Sequence, residues 1–164
     1  MSQVYREWPK GTVATLVWLN KLGVSARLAD WHMNSGWLED FGPRAFIQPG
    51  DTVGWQGGLY ALQTQLAMSI HVGGKTSLEL LGLSHYVPLG EHRRVILISD
   101  RVEQLPAWFR KRVWGVFIEH VRSSLFKRIR AEAVVQYNSG GFEIAISSAE
   151  RAVMEQIHLI GNND

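Results

Sequence analysis

Gly23-Val24-Ser25 constrains the N-terminal fold more than any other stretch of this chain. Before it, Thr12 to Leu22 (TVATLVWLNKL) has helical length, no internal glycine or proline, and a threonine at its start as a candidate cap. Gly23 supplies a tight, left-handed turn, and Ser25 is placed to cap a second helix, Ala26 to Ser35 (ARLADWHMNS). Gly36 stands where a helix ends in the left-handed conformation. Two short helices joined by a three-residue, glycine-containing turn predict a helix-turn-helix. A wing follows: Trp37-Leu38-Glu39 and Ala45-Phe46-Ile47 read as strands around the turn Asp40 to Arg44, and Pro49-Gly50 closes the unit.

Helix-glycine-helix followed by a hairpin also serves protein–protein modules, so the pattern alone does not define a function. The second helix is more informative. With Leu28, Ala29, His32 and Met33 inward beside Trp37 and Leu38, the residues facing out are Ala26, Arg27, Asp30, Trp31 and Asn34. Arg27 can pair bidentately with guanine and Asn34 with adenine, whereas Asp30 repels phosphate. Lys10, Lys21, Ser25 and Arg44 complete a candidate DNA-binding set, with the three cations on the backbone. Residues 1–50 nevertheless hold five basic residues against four acidic ones, a net of +1, which does not predict strong non-specific affinity.

The remaining charge is concentrated later. Residues 101–130 carry eight basic residues against Glu103 and Glu119, a net of +6. Arg110, Lys111, Arg112, Lys127, Arg128 and Arg130, with Lys75 upstream, form a candidate nucleic-acid or partner surface. Trp108, Phe109 and Trp114 are interleaved as stacking candidates, although such aromatics more often fill a core. A solvated face is the plain alternative.

From Asp51 onward the pattern predicts a second domain, 51–164, after a winged helix-turn-helix at 1–50. Trp55, Leu59, Leu62 and Leu66 form one helical stripe. Strands are expected at Met68 to Val72, Ser84 to Leu89, Arg94 to Ser99, Val116 to Val121, Ala133 to Tyr137 and Phe142 to Ser147. Short helices are expected at Thr76 to Leu81 and from Pro106 to Arg112. Ser147 and Glu150 read as a capping box for a last helix whose stripe is Ala149, Val153, Ile157 and Ile160. Met154 and Leu159 lie off that stripe, so this helix is expected to need cover on several sides, from a partner or from further sequence. The fold class is α+β, the second domain mixed and mostly antiparallel.

Several chemistries lack their motifs. Val72-Gly73-Gly74-Lys75-Thr76 precedes a helix, but the phosphate-loop motif needs a glycine where Ser69 stands. Free amides and Lys75 at that helix start remain a candidate anion contact. The six histidines show no helical i, i+4 pair and no adjacent carboxylate in a metal-binding arrangement. No G-x-S-x-G elbow is present. The sequence therefore argues against an enzyme and implies no cofactor and no metal. It has no cysteine, which excludes disulfides and thiolate metal sites and favours a cytoplasmic protein. No apolar run approaches the roughly 20 residues of a bilayer span, so no membrane role is expected.

Segments across most of the chain carry a family resemblance. They include Pro9-Lys10-Gly11-Thr12, Trp18-Leu19, Gly23-Val24-Ser25, Leu28-Ala29, Ser35-Gly36-Trp37-Leu38 and Pro49-Gly50-Asp51. Trp55-Gln56-Gly57, Tyr60-Ala61-Leu62-Gln63, His71 to Thr76, Leu105 to Phe109 and Ser147 to Ala152 continue the series. The chain resembles the AbiEi-type antitoxins of type IV toxin–antitoxin systems. That resemblance implies a transcriptional repressor whose N-terminal winged helix binds operator DNA with inverted repeats upstream of its own operon. It also implies a C-terminal domain that counters a cognate nucleotidyltransferase-type toxin without a stable complex. The alternatives are an RNA-binding protein using the basic 101–130 region and a protein–protein adaptor.

Overall fold

The computed structural model describes residues 1–84, 93–123 and 133–161. The chain divides into two compact units. The first comprises Met1–Met68, Gln104–Arg112 and Asn138–Glu143; the second comprises Ser69–Glu103, Val113–Tyr137 and Ile144–Asp164. The fold is α+β.

The first unit opens with α1 (Ser2–Glu7), β1 (Ala14–Thr15), α2 (Leu16–Lys21) and α3 (Ala26–Asn34), followed by β2 (Glu39–Gly42) and β3 (Ala45–Ile47). The three strands form one sheet in the order β1-β3-β2, antiparallel throughout, which makes the winged helix-turn-helix. The first helix of the motif is shorter than the sequence predicts, and Thr12 is not its cap. Thr12 and Val13 are β-branched and lie outside the helix, Thr12 donates to the Pro9 carbonyl at 2.6 Å, and Ala14 and Thr15 pair with Phe46 and Ala45. The helix starts only after Thr15, whose hydroxyl accepts from the Trp18 amide.

Gly23, at φ 83°, turns the chain between the helices as expected. Ser25 caps α3 by accepting from the Leu28 amide at 3.3 Å, and Gly36 follows the helix at φ 74°. Val4, Trp8, Ala14, Leu19, Val24, Ala29, Leu38 and Phe46 form the buried core. The edge of β1 is closed by a side chain. The buried Gln65 amide donates to the Val13 carbonyl at 2.9 Å, and its oxygen accepts from the Thr15 amide at 2.7 Å. Gln65 stands at the C-cap of α4 (Trp55–Thr64), whose predicted stripe buries Trp55, Leu59 and Leu62.

The second unit is built on a five-stranded sheet in the order β6-β5-β4-β8-β7, from β4 (Ile70–Val72), β5 (Arg94–Ser99), β6 (Phe117–Arg122), β7 (Val134–Asn138) and β8 (Glu143–Ser147). β4 and β5 are antiparallel, whereas β5 with β6 and β4 with β8 are parallel. Those parallel pairings have no local signature, because they join strands separated by other elements. The expected strand from Ser84 to Leu89 lies outside the described residues after Ser84.

Among the described residues the helices of this unit are α5 (Gly74–Leu80) and α7 (Ala149–Gly161); α6 (Ala107–Arg110) belongs to the first unit. Two expectations fail at α7. Ser148 and not Ser147 caps it, accepting from the Arg151 amide, while the Ser147 hydroxyl is turned into the interior. The helix also buries Arg151, Ala152 and Glu155 and leaves Val153, Ile157 and Ile160 exposed, the reverse of what its apolar stripe predicts.

The reason is a buried polar knot. Glu155 lies 3.2 Å from His71 Nε2 on β4, and accepts from the Gly74 amide at 2.9 Å, from Ser147 Oγ at 2.9 Å and from Arg151 Nε at 2.7 Å. Arg151 also reaches Asp100 at 3.4 Å. Burial opposes the charged carboxylate, but the hydrogen bonds from His71, Gly74 and Arg151 outweigh it and hold Glu155 below its ordinary 4.5. A Cβ on Gly73 would come within 2.6 Å of the Glu155 carboxylate and 2.4 Å of Ile98. Gly73 is therefore a packing requirement.

Candidate nucleic-acid interface

The outward face of α3 is the most distinctive surface of the first unit. Arg27, Trp31 and Asn34 follow one another at spacings of four and three, so they share one face of the helix. All three are exposed, and Trp31 is 57% exposed in the middle of a helix that buries Ala29 and His32 on its other side. Asp30 and Ala26 are exposed beside them. Leu28 and Trp37 were expected inside but stand 38% and 50% exposed, and Met33 is only partly buried. The core here is filled from α1 instead: Tyr5 stacks on Trp8 and hydrogen-bonds to the Trp37 carbonyl, leaving the Trp37 ring outside.

His32 fills the space beneath α3, with its ring 5.0 Å from that of Trp31. Burial first, and the N-terminal ammonium second, push its pKa below 6.5, so it sits neutral. Its Nδ1 makes no hydrogen bond among the described residues.

The wing lies beside this face. An open cleft of about 470 Å³ is lined by Ala26, Asp30 and Met33 from α3, by Leu16, and by Asp40, Gly42, Pro43, Arg44 and Phe46 from the wing. Arg44 is exposed at the wing tip with φ 62°, a left-handed conformation that side chains adopt at a cost. Its carbonyl accepts from the Leu16 amide at 2.9 Å, which joins the wing to the start of α2.

The pairing of β2 with β3 steps from Asp40–Phe46 to Gly42–Ala45, so Phe41 is the extra residue of a bulge. Bulges re-aim side chains, and Phe41 is buried against the segment Gln104–Arg112 of the same unit. Trp108 lies with its ring 6.3 Å from that of Phe41, and the Arg112 guanidinium stands 3.4 Å over the Phe41 ring while donating to the Phe41 carbonyl at 2.8 Å. Nothing in the sequence signals this pairing, because its partners are 71 residues apart.

The other candidates fall in different places. Lys10 and Lys21 are exposed in the first unit, before β1 and at the end of α2. Ser25 is engaged as the α3 cap. Arg110 and Lys111 are exposed at the end of α6, in the same unit as the wing. Trp108 and Phe109 are 5% and 1% exposed, so they are core and not stacking platforms. Lys127, Arg128 and Arg130 lie outside the described residues. Lys75 is exposed in the second unit, but the expected anion contact there is overturned: the Gly74 amide is taken by Glu155, and the Lys75 amide donates to Gln156 at 2.9 Å. No group of three or more histidine or carboxylate side chains is arranged for a metal among the described residues, and no described helix is long and apolar enough to cross a membrane.

The fold is that of a winged helix-turn-helix module with an exposed α3 face, and the sequence comparisons specify its family. Residues 1–89 match the family described as transcriptional regulator, AbiEi antitoxin N-terminal domain, and residues 92–164 match that described as transcriptional regulator, AbiEi antitoxin, type IV toxin–antitoxin system. The chain belongs to the AbiEi antitoxin family of transcriptional regulators. No curated protein matches it. Among solved structures it is similar to the RV2827C protein from Mycobacterium tuberculosis, with 18% identity and a TM-score of 0.46 over 74% of this chain. The chain spans 43% of the length of that protein.

Proposed function

We propose that the chain is a cytoplasmic DNA-binding repressor of the antitoxin type. In this reading residues 1–50 bind inverted repeats upstream of the protein's own gene and so regulate it. Residues 51–164 counter a cognate nucleotidyltransferase-type toxin without a stable complex. The observation that carries the DNA part is the exposed Arg27–Trp31–Asn34 face of α3 beside the wing. Arg27 addresses guanine O6 and N7, Asn34 addresses adenine, and the Trp31 ring offers an apolar surface to a thymine methyl. Lys10, Lys21 and Arg44 hold phosphates, and the Ser25 cap fixes the angle at which α3 enters the groove. Asp30 repels a misplaced phosphate and so helps set register. Arg110 and Lys111 add backbone contacts from the wing side. The toxin part rests on family membership.

The test is a binding titration of the full chain on duplexes from the region upstream of its gene. Arg27→Ala is expected to cost about 1–3 kcal/mol at one operator position and to relax base preference there. Replacing Arg110 and Lys111 by alanine is expected to flatten the log–log salt slope by roughly 0.9 for each phosphate no longer neutralised, with base preference intact. A parent chain that distinguishes no upstream duplex from random DNA would overturn the DNA reading. If it binds structured RNA instead, the RNA alternative takes its place.

A further inference from the structure

We infer that Arg112 is a positioning residue for the wing and not one of its phosphate contacts, an inference that rests on the DNA reading above. Three observations carry it. The β2 bulge turns Phe41 out of the alternation of its strand and onto the 104–112 segment. Arg112 then holds both parts of that residue at once, its guanidinium carbon 3.4 Å over the ring and its Nη2 2.8 Å from the backbone carbonyl. Directly after Phe41, Gly42 passes so close to Trp108 that a Cβ there would lie 3.0 Å from the Trp108 Cβ. Two residues further on stands Arg44, whose positive φ gives the wing tip one defined shape.

β3 is buried and paired on both sides, whereas β2 is the outer strand of the sheet, pairs with β3 alone and is interrupted by the bulge. Fastening its bulged residue to α6 and to Arg112 supplies what that outer strand lacks. The apparent affinity of a site falls in proportion to the fraction of molecules in the binding shape. Releasing the clamp so that about a tenth of the wings are correctly placed therefore weakens DNA binding about ten-fold.

The geometry also says which substitution separates the two roles. A lysine keeps the charge that a phosphate contact needs. It cannot lay a planar group on Phe41 while donating to its carbonyl. Arg112→Lys in the full chain is expected to bind an upstream duplex about ten-fold more weakly with an unchanged salt slope. Its thermal midpoint stays near that of the parent. In the DNA-free chain, amide hydrogen exchange at residues 41–44 becomes faster. Phe41→Leu, which changes no charge, gives the same weaker binding with unchanged slope and the same faster exchange, with a lower midpoint because the ring is buried. Two outcomes overturn the inference: Arg112→Lys binding like the parent while Arg112→Ala flattens the slope by about 0.9, or wing exchange unchanged in Arg112→Lys. Failure of the parent to bind any upstream duplex removes the DNA reading alone, since wing exchange still decides whether Arg112 positions the wing.

Discussion

Glu155→Leu tests whether charge, and not apolar area, seats the last helix. The wild-type carboxylate accepts from the Gly74 amide, from Ser147 Oγ and from Arg151 Nε, all within 2.9 Å. Leucine fills a comparable volume but accepts nothing, so the Gly74 amide loses its side-chain acceptor. The Arg151 side chain, 4% exposed, loses that partner and keeps Asp100 at 3.4 Å. Removing one partner of a buried pair costs about 3–5 kcal/mol. Asp100 is partly exposed and retains some hold on Arg151, which favours the lower end, about 3 kcal/mol. For a chain of this size, 1 kcal/mol moves Tm by about 2–4 °C, so a fall of about 6–12 °C is expected. The assay is thermal unfolding followed by circular dichroism, with urea unfolding for the free energy.

Replacing Glu155 and Arg151 together by leucine recovers part of the loss, because a buried ion pair exchanged whole for apolar residues is often near neutral. The pH dependence has a definite sign. Glu155 titrates below 4.5 in the folded state, so its contribution is present above 4.5 and disappears as pH falls through the folded value. Glu155→Gln loses that acid-side dependence. A Glu155→Leu midpoint within about 2 °C of the parent, well under the shift expected of a broken buried pair, would refute the account of α7.

Two other predictions concern the first unit. Arg44→Gly relieves the positive φ at the wing tip and is expected to raise stability by about 1 kcal/mol while weakening operator binding; a variant that binds as well as the parent removes Arg44 from the interface. His32 is held neutral with its pKa below 6.5, so the unfolded chain takes up that proton first, and the unit loses stability as pH falls below 6.5 toward the folded value. Midpoints measured from pH 8 to pH 5 show this component in the parent and not in His32→Leu; equal slopes would mean the imidazole is charged or exposed.

The helix-turn-helix is legible in the sequence because its signals are local. Ser25 caps, Gly23 and Gly36 take positive φ, and the apolar spacing of α3 lies within a few turns. Where α2 begins is not legible. Thr12 and Thr15 both satisfy the capping rule, and the choice between them is made by pairing with Ala45 and Phe46 in the wing. The last helix misleads for the same reason in stronger form. Its apolar stripe is a valid amphipathic pattern, yet the inward face is decided by His71, Gly74 and Ser147, which reach Glu155 from β4, α5 and β8. At the candidate interface, Arg27 and Asn34 are found by helical spacing alone. Arg112 is visible only as one more cation in a basic run, since the ring it covers belongs to a bulge in another part of the chain.

The small charge of the N-terminal module bears on how such a site discriminates. Residues 1–50 carry a net of only +1, and the α3 face sets Asp30 beside Arg27. Under the proposed reading few phosphates are neutralised, so little affinity is common to all sequences and the salt dependence is shallow. A larger share of the binding energy must then come from base contacts, each of which demands placement within a few tenths of an ångström. The side chains that fix the module answer that demand: Thr15 and Ser25 cap the two helices, Gln65 closes the free edge of β1, and Arg112 holds the wing. A module rigidified in this way loses less conformational entropy on binding, which offsets the attraction it forgoes. Removing negative charge from the α3 face, as Asp30→Asn does, should accordingly raise affinity for random and operator DNA alike and narrow the ratio between them. If that variant tightened the operator alone, low charge would not be the source of selectivity.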